Sequence, residues 1–332
     1  MSDQRFEQAQ LWLNTFPELG ALNITPLAGD ASFRRYFRVI SQLEAGQSYV
    51  LMDAPPEKED VGPFLQVRRW LESNGLRVPQ LIRQDEQQGF LLLEDFGDQT
   101  WAVCLTQQYD STVLFEDALQ QLHQLQAAQA QIALPIFDMQ RMRTECDLYL
   151  DWYLPYVQQY QPSTAEREAF HQDLAPLLER IAALPQTPVH LDYHSRNLML
   201  PKQGVPLGII DFQDAVIGPI TYDLASLLYD CYQDYPESAR LQWSKAFFAG
   251  LSQTHQAHFM SDVQQWHKAL RQTALQRHIK AIGIFARLAH RDAKHQFLKE
   301  IPLTCQHLMD ELQVLNLDIP LLNIHAKGMT TG

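Results

Sequence analysis

The hydrophobic period of this chain changes near residue 100. Short β-rich runs come before that point, at Asn23–Leu27, Tyr36–Ile40, Tyr49–Met52, 80–84 and 89–94. After it, amphipathic patterns typical of helices extend to about residue 315, with separate helices expected at 256–274 and 276–294. Alternating apolar residues indicate strands, and apolar residues three or four positions apart indicate helices. The sequence therefore predicts an α+β protein with a small β-rich N-terminal lobe and a larger, mostly helical C-terminal lobe.

Composition and charge narrow the class of protein. The 332 residues are 46% hydrophobic, which is enough for the cores of two lobes. A formal charge of −13 argues against nucleic acid or a membrane surface as the main partner, because both bind clustered Lys and Arg. The cysteines form no CxxC pair, and no apolar run resembles a membrane span or a secretion signal. These features predict a reduced, soluble, cytoplasmic protein.

One short segment, HLDYHSRNLML at His190–Leu200, concentrates polar side chains between apolar flanks. It contains Asp192, His194, Arg196 and Asn197 within a single turn. Removing so many polar groups from water is unfavourable unless they bind one another or a ligand. We therefore expect this turn to face a binding cleft.

The spacing within and after this turn is typical of phosphoryl transfer. The pattern His-x-Asp-x-x-x-x-Asn runs from His190 through Asp192 to Asn197, and GIIDF then places Asp211 at the end of an apolar strand. Kinases use this arrangement. We interpret Asp192 as the base, Asn197 and Asp211 as Mg²⁺ ligands, and His190 as a brace of the loop. An isolated Asp-x-x-x-x-Asn is also common in ordinary turns, so the prediction depends on the combination.

The chain resembles the aminoglycoside phosphotransferase and choline kinase superfamily in HLDYHSRNLML and in GIIDFQDAVIGPITYDLASLLYD. It is most similar to the anomeric kinases of N-acetylmuramate and N-acetylglucosamine in GDASFRRYFRV, VLMDAPP, LLLEDFGDQTW and QRHIKAIGIFARLAHRD. The resemblance implies a protein-kinase-like two-lobe fold: a nucleotide-binding lobe over 1–97 with a hinge near 94–97, a helical lobe over 98–325, and a frayed tail over 326–332. It also implies ATP- and Mg²⁺-dependent phosphorylation of the sugar O1 hydroxyl in peptidoglycan recycling. Asp223, another family position, is expected to cap a helix or brace a loop.

The resemblance also assigns residues to the nucleotide. Gly29, Ala31 and Ser32 lie where the phosphate-covering hairpin of the family turns, and their small size lets backbone N–H groups approach phosphate. The stretch lacks the G-x-G-x-x-G pattern, so by itself it is more typical of an ordinary β-turn than of a phosphate-binding loop. Glu94 and Phe96 fall at the hinge, where the backbone of such kinases binds adenine.

The third strand departs from the kinase pattern. Kinases usually carry a Lys there for the α- and β-phosphates, and this sequence has Met52. A pair of unit charges 4 Å apart is worth about 4 kcal/mol at an effective dielectric constant of 20. We therefore predict that one of Arg34, Arg35 and Arg38 contacts phosphate, with Arg34 and Arg38 on one face of the ribbon and Arg35 on the other. Two alternatives stay open: the arginines are solvated surface charges, or the chain is a pseudokinase that binds nucleotide without transfer.

The acceptor is expected to bind in the helical lobe. The segment QRHIKAIGIFARLAHRDAK is rich in basic residues within an otherwise acidic protein. N-acetylmuramate needs a cation for its lactyl carboxylate, and Arg277 and Arg291 are the candidates. A cationic acceptor, such as an aminoglycoside or choline, would need an anionic or aromatic site and stays an alternative. The sequence leaves open the preference between the two amino sugars and the number of subunits.

Overall fold

The computed structural model describes residues 3–27, 33–43, 47–107, 109–129 and 131–324. The chain divides into two compact units. The first unit takes the described residues up to Gln99 together with Met199–Gln213. The second takes Thr100–Leu198 and the described residues from Asp214 onward. The tail predicted over 326–332 lies outside the described residues.

The first unit is built on a five-stranded antiparallel sheet. Its strands are β1 (Leu22–Pro26), β2 (Arg35–Ser41), β3 (Ser48–Asp53), β4 (Leu81–Asp85) and β5 (Phe90–Glu94). Their order across the sheet is β1-β2-β3-β5-β4, so each β-rich run predicted in this part of the chain is a strand. Helix α1 (Gln4–Leu13) contributes Trp12 and Leu13 to a core that also contains Val39 and Leu51. Helix α2 (Gly62–Ser73) has a Pro in its first turn, where the missing N–H costs nothing.

The second unit is mostly helical. Its helices are α3 (Trp101–Thr106), α4 (Ser111–Ala127), α5 (Met139–Leu148), α6 (Leu154–Tyr156), α7 (Thr164–Ala182), α8 (Tyr222–Leu228), α9 (Glu237–Gly250), α10 (Gln253–His258), α11 (Val263–His290) and α12 (Ile301–Leu315). A π-helical turn, Tyr149–Tyr153, joins α5 to α6. Helix α11 supplies Leu275, Ile279 and Ile282 to the large core of this unit. No helix within the described ranges is long and apolar enough to cross a membrane.

The predicted division of α11 is wrong. The structure has one helix of 28 residues over Val263–His290, where the sequence predicted a break near residue 275. Ala274 and Leu275 are strong helix formers and are fully buried, so nothing interrupts the helix there. The break lies earlier, where Met260 and Ser261 both have a φ of +53° and Asp262 caps the new helix through the N–H of Gln264.

Four short strands surround the polar turn: β6 (Gln186–Val189), β7 (Leu198–Met199), β8 (Gly208–Ile209) and β9 (Val216–Pro219). Strand β6 pairs with β9 in antiparallel register, and β7 pairs with β8. The sequence pattern predicts neither β6 nor β9, because four residues are too few to show a period. These pairs fix both ends of the polar turn.

Candidate active site

The loop between β6 and β7 contains the predicted catalytic residues, and a buried carboxylate holds its strained start. Leu191 has a φ of +78°, a left-handed conformation that costs about 1–2 kcal/mol for a residue with a Cβ. Asp223, in the first turn of α8, accepts the N–H groups of His190 at 2.7 Å and of Leu191 at 3.1 Å. Burial raises the pKa of Asp223 to about 6, although both bonds favour its charged form. The expected role of Asp223 as a loop brace is confirmed.

A second buried carboxylate, Asp230, holds the other half of the loop. It accepts the N–H of Ser195 at 2.9 Å and the N–H of Tyr232 at 2.8 Å, and its side chain is fully buried. The sequence analysis missed this residue. Its spacing of seven residues from Asp223, about two helical turns, is the signal that could have indicated a paired role.

Asp192 lies half-buried among positive groups. Burial alone would raise the pKa of this carboxyl, but nearby positive charges, of which Lys280 contributes most, lower it below the ordinary value of 3.8. His194 and Arg277 contribute next. The N–H of Asp192 donates to Nδ1 of His190 at 3.2 Å, which confirms the bracing role expected for His190. Asp192 is therefore ionised at neutral pH, as a general base must be.

Lys280, which the sequence analysis did not assign to the site, is itself fixed by α11 and its neighbours. Its Nζ lies 3.3 Å from Oε1 of Glu145 and donates to the hydroxyl of Tyr222 at 3.4 Å. Lys280 follows Arg277 by three residues on α11, so both side chains lie on one face of the helix. That face presents two cations to the catalytic loop.

Asn197 and Asp211 offer oxygen ligands that suit Mg²⁺. Nδ2 of Asn197 donates to the carbonyl oxygen of Asp192 at 3.0 Å, which directs Oδ1 away from that bond. Asp211, in the first unit, has a φ of +62°, and its Oδ1 accepts a bond from Nε2 of Gln213 at 2.7 Å. Mg²⁺ prefers carboxylate and amide oxygens and usually takes one or two protein groups beside phosphate and water. The donor atoms present therefore fit this ion.

The arginines of the β-ribbon all pair with acidic side chains. The pairs are Arg34–Glu59 at 3.4 Å, Arg35–Asp53 at 2.6 Å and Arg38–Asp95 at 2.7 Å. Asp53 and Asp95 are almost entirely buried, so the guanidinium groups of Arg35 and Arg38 are held against the sheet. Contact between any of these arginines and a nucleotide phosphate stays a prediction.

Met52 is fully buried in β3. A Lys at this position would place its charge in the core of the first unit, at a cost of several kcal/mol without a partner. The Met in place of the usual kinase Lys is therefore explained by the burial of this side chain in the core of the first unit. Of the other predicted phosphate-binding residues, Gly29, Ala31 and Ser32 lie outside the described residues.

Glu94 is the last residue of β5, and Phe96 follows it two positions later. Nη1 of Arg77 donates to Oε2 of Glu94 at 2.7 Å, and the guanidinium of Arg77 lies 4.6 Å from the centre of the Phe96 ring. Phe96 also packs against Gly208, where a Cβ atom would lie 2.2 Å from the ring. Both side chains are therefore engaged within the first unit, and the adenine contact predicted for this segment would use backbone groups.

The two predicted acceptor arginines have different surroundings. Arg277 is buried, its guanidinium lies 5.1 Å from the centre of the Tyr222 ring, and its charge acts on Asp192. Within the described parts of the chain, its Nε and Nη1 have no hydrogen-bond partner. Arg291 follows the end of α11, is half-exposed, and donates to Asp292 at 2.7 Å. The structure thus brings Arg277 to the catalytic loop and pairs Arg291 at the surface.

Comparison with known proteins gives matches over most of the chain. The profile of the phosphotransferase enzyme family matches residues 23–259. A protein of Pseudomonas putida named N-acetylmuramate/N-acetylglucosamine kinase is 36% identical, over 90% of this chain and 89% of its own length. A protein of the same name from Pseudomonas aeruginosa is 37% identical, over 92% of this chain and 91% of its own length.

A solved structure supports the same fold. The choline/ethanolamine kinase family protein from Mesorhizobium loti superposes with a TM-score of 0.62 at 14% identity, and the match covers 99% of this chain and 100% of that one. The predicted α+β, protein-kinase-like fold class is thereby confirmed.

Proposed function

This chain belongs to the phosphotransferase enzyme family, and from that premise we propose that it is an ATP-dependent kinase of N-acetylmuramate and N-acetylglucosamine. The observation that carries the proposal is the 36–37% identity to relatives named for this activity over at least 90% of the chain. The γ-phosphoryl group of ATP would pass to the O1 hydroxyl and give the sugar 1-phosphate, in peptidoglycan recycling. We place the reaction in the cytoplasm, which supplies ATP and keeps thiols reduced, and the four cysteines are free and buried.

Asp192 is the base in this proposal. Its carboxylate accepts the proton of the O1 hydroxyl while O1 bonds to the γ-phosphorus and the bond to the bridging oxygen of ADP breaks. An anomeric hydroxyl is more acidic than an ordinary alcohol, so a single carboxylate suffices. General-base catalysis of this kind contributes about 10²–10⁴-fold. Asp223 and Asp230 hold the loop that presents this carboxylate.

Asn197 and Asp211 would hold Mg²⁺ through their side-chain oxygens. The ion, when bound, neutralises charge on the phosphate oxygens. The backbone at Gly29, Ala31 and Ser32 would cover the phosphates, Arg34 or Arg35 would add a cation, and the backbone near Glu94 and Phe96 would bind adenine. The buried, unpartnered nitrogens of Arg277 favour a contact with the acceptor or the transferred phosphoryl group.

The test is ³¹P NMR of the protein with ATP and Mg²⁺ in parallel samples. N-acetylmuramate, N-acetylglucosamine, choline and an aminoglycoside are the acceptors. We expect a sugar 1-phosphate signal with the two amino sugars and none with the cationic acceptors. Product only with a cationic acceptor would contradict the proposal, and bound ATP without product in any sample would favour a pseudokinase.

Lys280→Met is expected to move the acid limb of the kcat/KM profile to higher pH. The substitution removes the cation that contributes most to lowering the pKa of Asp192, so this pKa rises. At a given acid pH a larger fraction of Asp192 is then protonated and unable to act as a base, while the alkaline limb stays unchanged. The measurement is the pH dependence of amino-sugar turnover in both proteins. Lys245→Met, which removes an exposed Lys of α9, is the control, and an unmoved acid limb in Lys280→Met would contradict this role.

A further inference from the structure

A cavity of about 510 Å³ opens beside the catalytic loop of the second unit. It is lined by α3 and its N-cap, from Thr100 to Thr106, and by Arg196, Tyr232 and Gln233. Of the described residues that line it, Arg196 alone is charged. The reaction proposed above assigns no role to this cavity or to the guanidinium of Arg196.

The guanidinium of Arg196 is held from two sides. It lies 3.6 Å from the centre of the Tyr232 ring, and its Nη2 donates to Oε1 of Glu300 at 2.6 Å. Glu300 is nearly buried at the start of α12, and its carbonyl oxygen accepts a bond from the hydroxyl of Thr304. Arg196 is nevertheless 39% exposed, so part of its planar group faces solvent. A fixed guanidinium loses little conformational entropy when it binds an anion.

The cavity borders the loop that carries the base, because Arg196 of that loop lines it. Arg196 directly precedes Asn197, whose side chain bonds the backbone of Asp192. The ring of Tyr232 also lies 5.1 Å from the ring of His194, so one ring contacts both Arg196 and His194 of the loop. Burial raises the pKa of Tyr232, with Asp192 adding to this effect and Arg196 opposing it. Arg196 therefore belongs to the same short loop as the base and lines the cavity from there.

The two acceptors in the proposed function differ by one charged group. N-acetylmuramate carries a lactyl ether on O3 that ends in a carboxylate, and N-acetylglucosamine has a hydroxyl there. O3 is two carbons from the reacting C1, so a cation for the lactyl carboxylate should lie beside the base, offset by part of a sugar ring. Arg277 acts directly on Asp192, and Arg291 pairs with Asp292 at the surface. Arg196 is a cation on the loop that carries the base, so it is the candidate for binding the lactyl carboxylate.

We propose that Arg196 binds the lactyl carboxylate of N-acetylmuramate and so determines how the enzyme ranks the two amino sugars. The proposal rests on the proposed function. The bond to Glu300 uses one nitrogen of the guanidinium, and the remaining N–H donors form the planar fork that matches a carboxylate. Glu300 is a positioning residue in this arrangement.

The experiment compares KM for N-acetylmuramate, N-acetylglucosamine and ATP in the wild type and in Arg196→Gln. We expect the KM for N-acetylmuramate to rise roughly 10- to 100-fold, as for the loss of a hydrogen-bonded charge pair, with the other two KM values nearly unchanged. Arg196→Lys keeps the charge without the fork and should recover part of the loss. Arg167→Gln is the matched control, because Arg167 forms an exposed ion pair with Asp151 at the same distance of 2.6 Å.

Other outcomes overturn the proposal. Equal changes for both sugars, a rise in the KM for ATP, or no change in Arg196→Gln and Arg196→Lys would each exclude carboxylate recognition by this residue. A selective loss in Arg277→Gln but not in Arg196→Gln would assign the carboxylate to Arg277. In all these cases the wild type still phosphorylates amino sugars, so the proposed function stands. A wild type that phosphorylates neither sugar removes both proposals.

Discussion

Asp192→Asn is expected to lower kcat for amino-sugar phosphorylation by at least about 10²–10⁴-fold, with ADP affinity nearly unchanged. The amide has nearly the same shape as the carboxylate, but it cannot accept the proton of the O1 hydroxyl. The loop should persist, because its bonds to Asp223 and Asp230 involve other residues. The N–H of Asp192 and the carbonyl oxygen that receives Asn197 are also backbone groups, which the substitution leaves in place.

The measurements are single-turnover kinetics with the preferred amino sugar and calorimetric titration of ADP with Mg²⁺. Asp173→Asn, on an exposed position of α7, is the control for replacing an Asp by an amide and should behave as the wild type. If Asp192→Asn kept kcat within a few-fold of the wild type, Asp192 would not be the base. Loss of ADP binding together with turnover would instead indicate that the substitution disturbs the nucleotide site.

Gly283→Ala is expected to destabilise the protein by about 3 kcal/mol, near the upper range for overpacking a core. Gly283 lies in the middle of α11, where a Cβ atom would be 2.4 Å from the carbonyl carbon of Leu148 and 2.5 Å from the backbone nitrogen of Tyr149. Backbone atoms cannot rotate away as a side chain can. Helix α11 or the π-helical turn must therefore shift, although Ala has the higher helix propensity.

The measurement is thermal unfolding of the wild type, of Gly283→Ala and of the control variant Gly62→Ala. Gly62→Ala, in the first turn of α2, is the matched control because the atoms nearest to its Cβ would belong to the flexible side chain of Asp60, at 3.1 Å and beyond. That variant should unfold at or slightly above the wild-type temperature, since Ala favours a helix. A Gly283→Ala protein as stable as the wild type would show that the backbones separate without loss.

The loop between β6 and β7 shows which candidate site residues a local sequence pattern can identify. Asp192, Asn197 and Asp211 are visible in the sequence because phosphoryl transfer requires these residue types at fixed spacing, and the strands β7 and β8 around them are short apolar runs. Asp230 and Lys280 lie outside the catalytic spacing pattern. Asp230 acts on the loop from the segment after α8 and Lys280 acts from α11, so only folding reveals what they contact.

The same distinction holds for the sheet of the first unit and for the long helix. Alternation of apolar and polar residues predicts the strands. The ion-pair partners of Arg35 and Arg38 are Asp53 and Asp95, which only the folded sheet brings beside them. The continuity of α11 depends on burial of Ala274 and Leu275, since amphipathic spacing alone is compatible with two helices.

Local sequence is therefore sufficient to predict the fold class and most elements and to propose the reacting groups, because secondary-structure period and catalytic spacing are properties of neighbouring residues. The charge state of Asp192, the strain held at Leu191 by Asp223 and the cavity at Arg196 required the folded chain. Each depends on side chains that are distant in sequence and close in space. Electrostatic and packing energies follow distance in space, and the order of residues along a chain does not specify that distance.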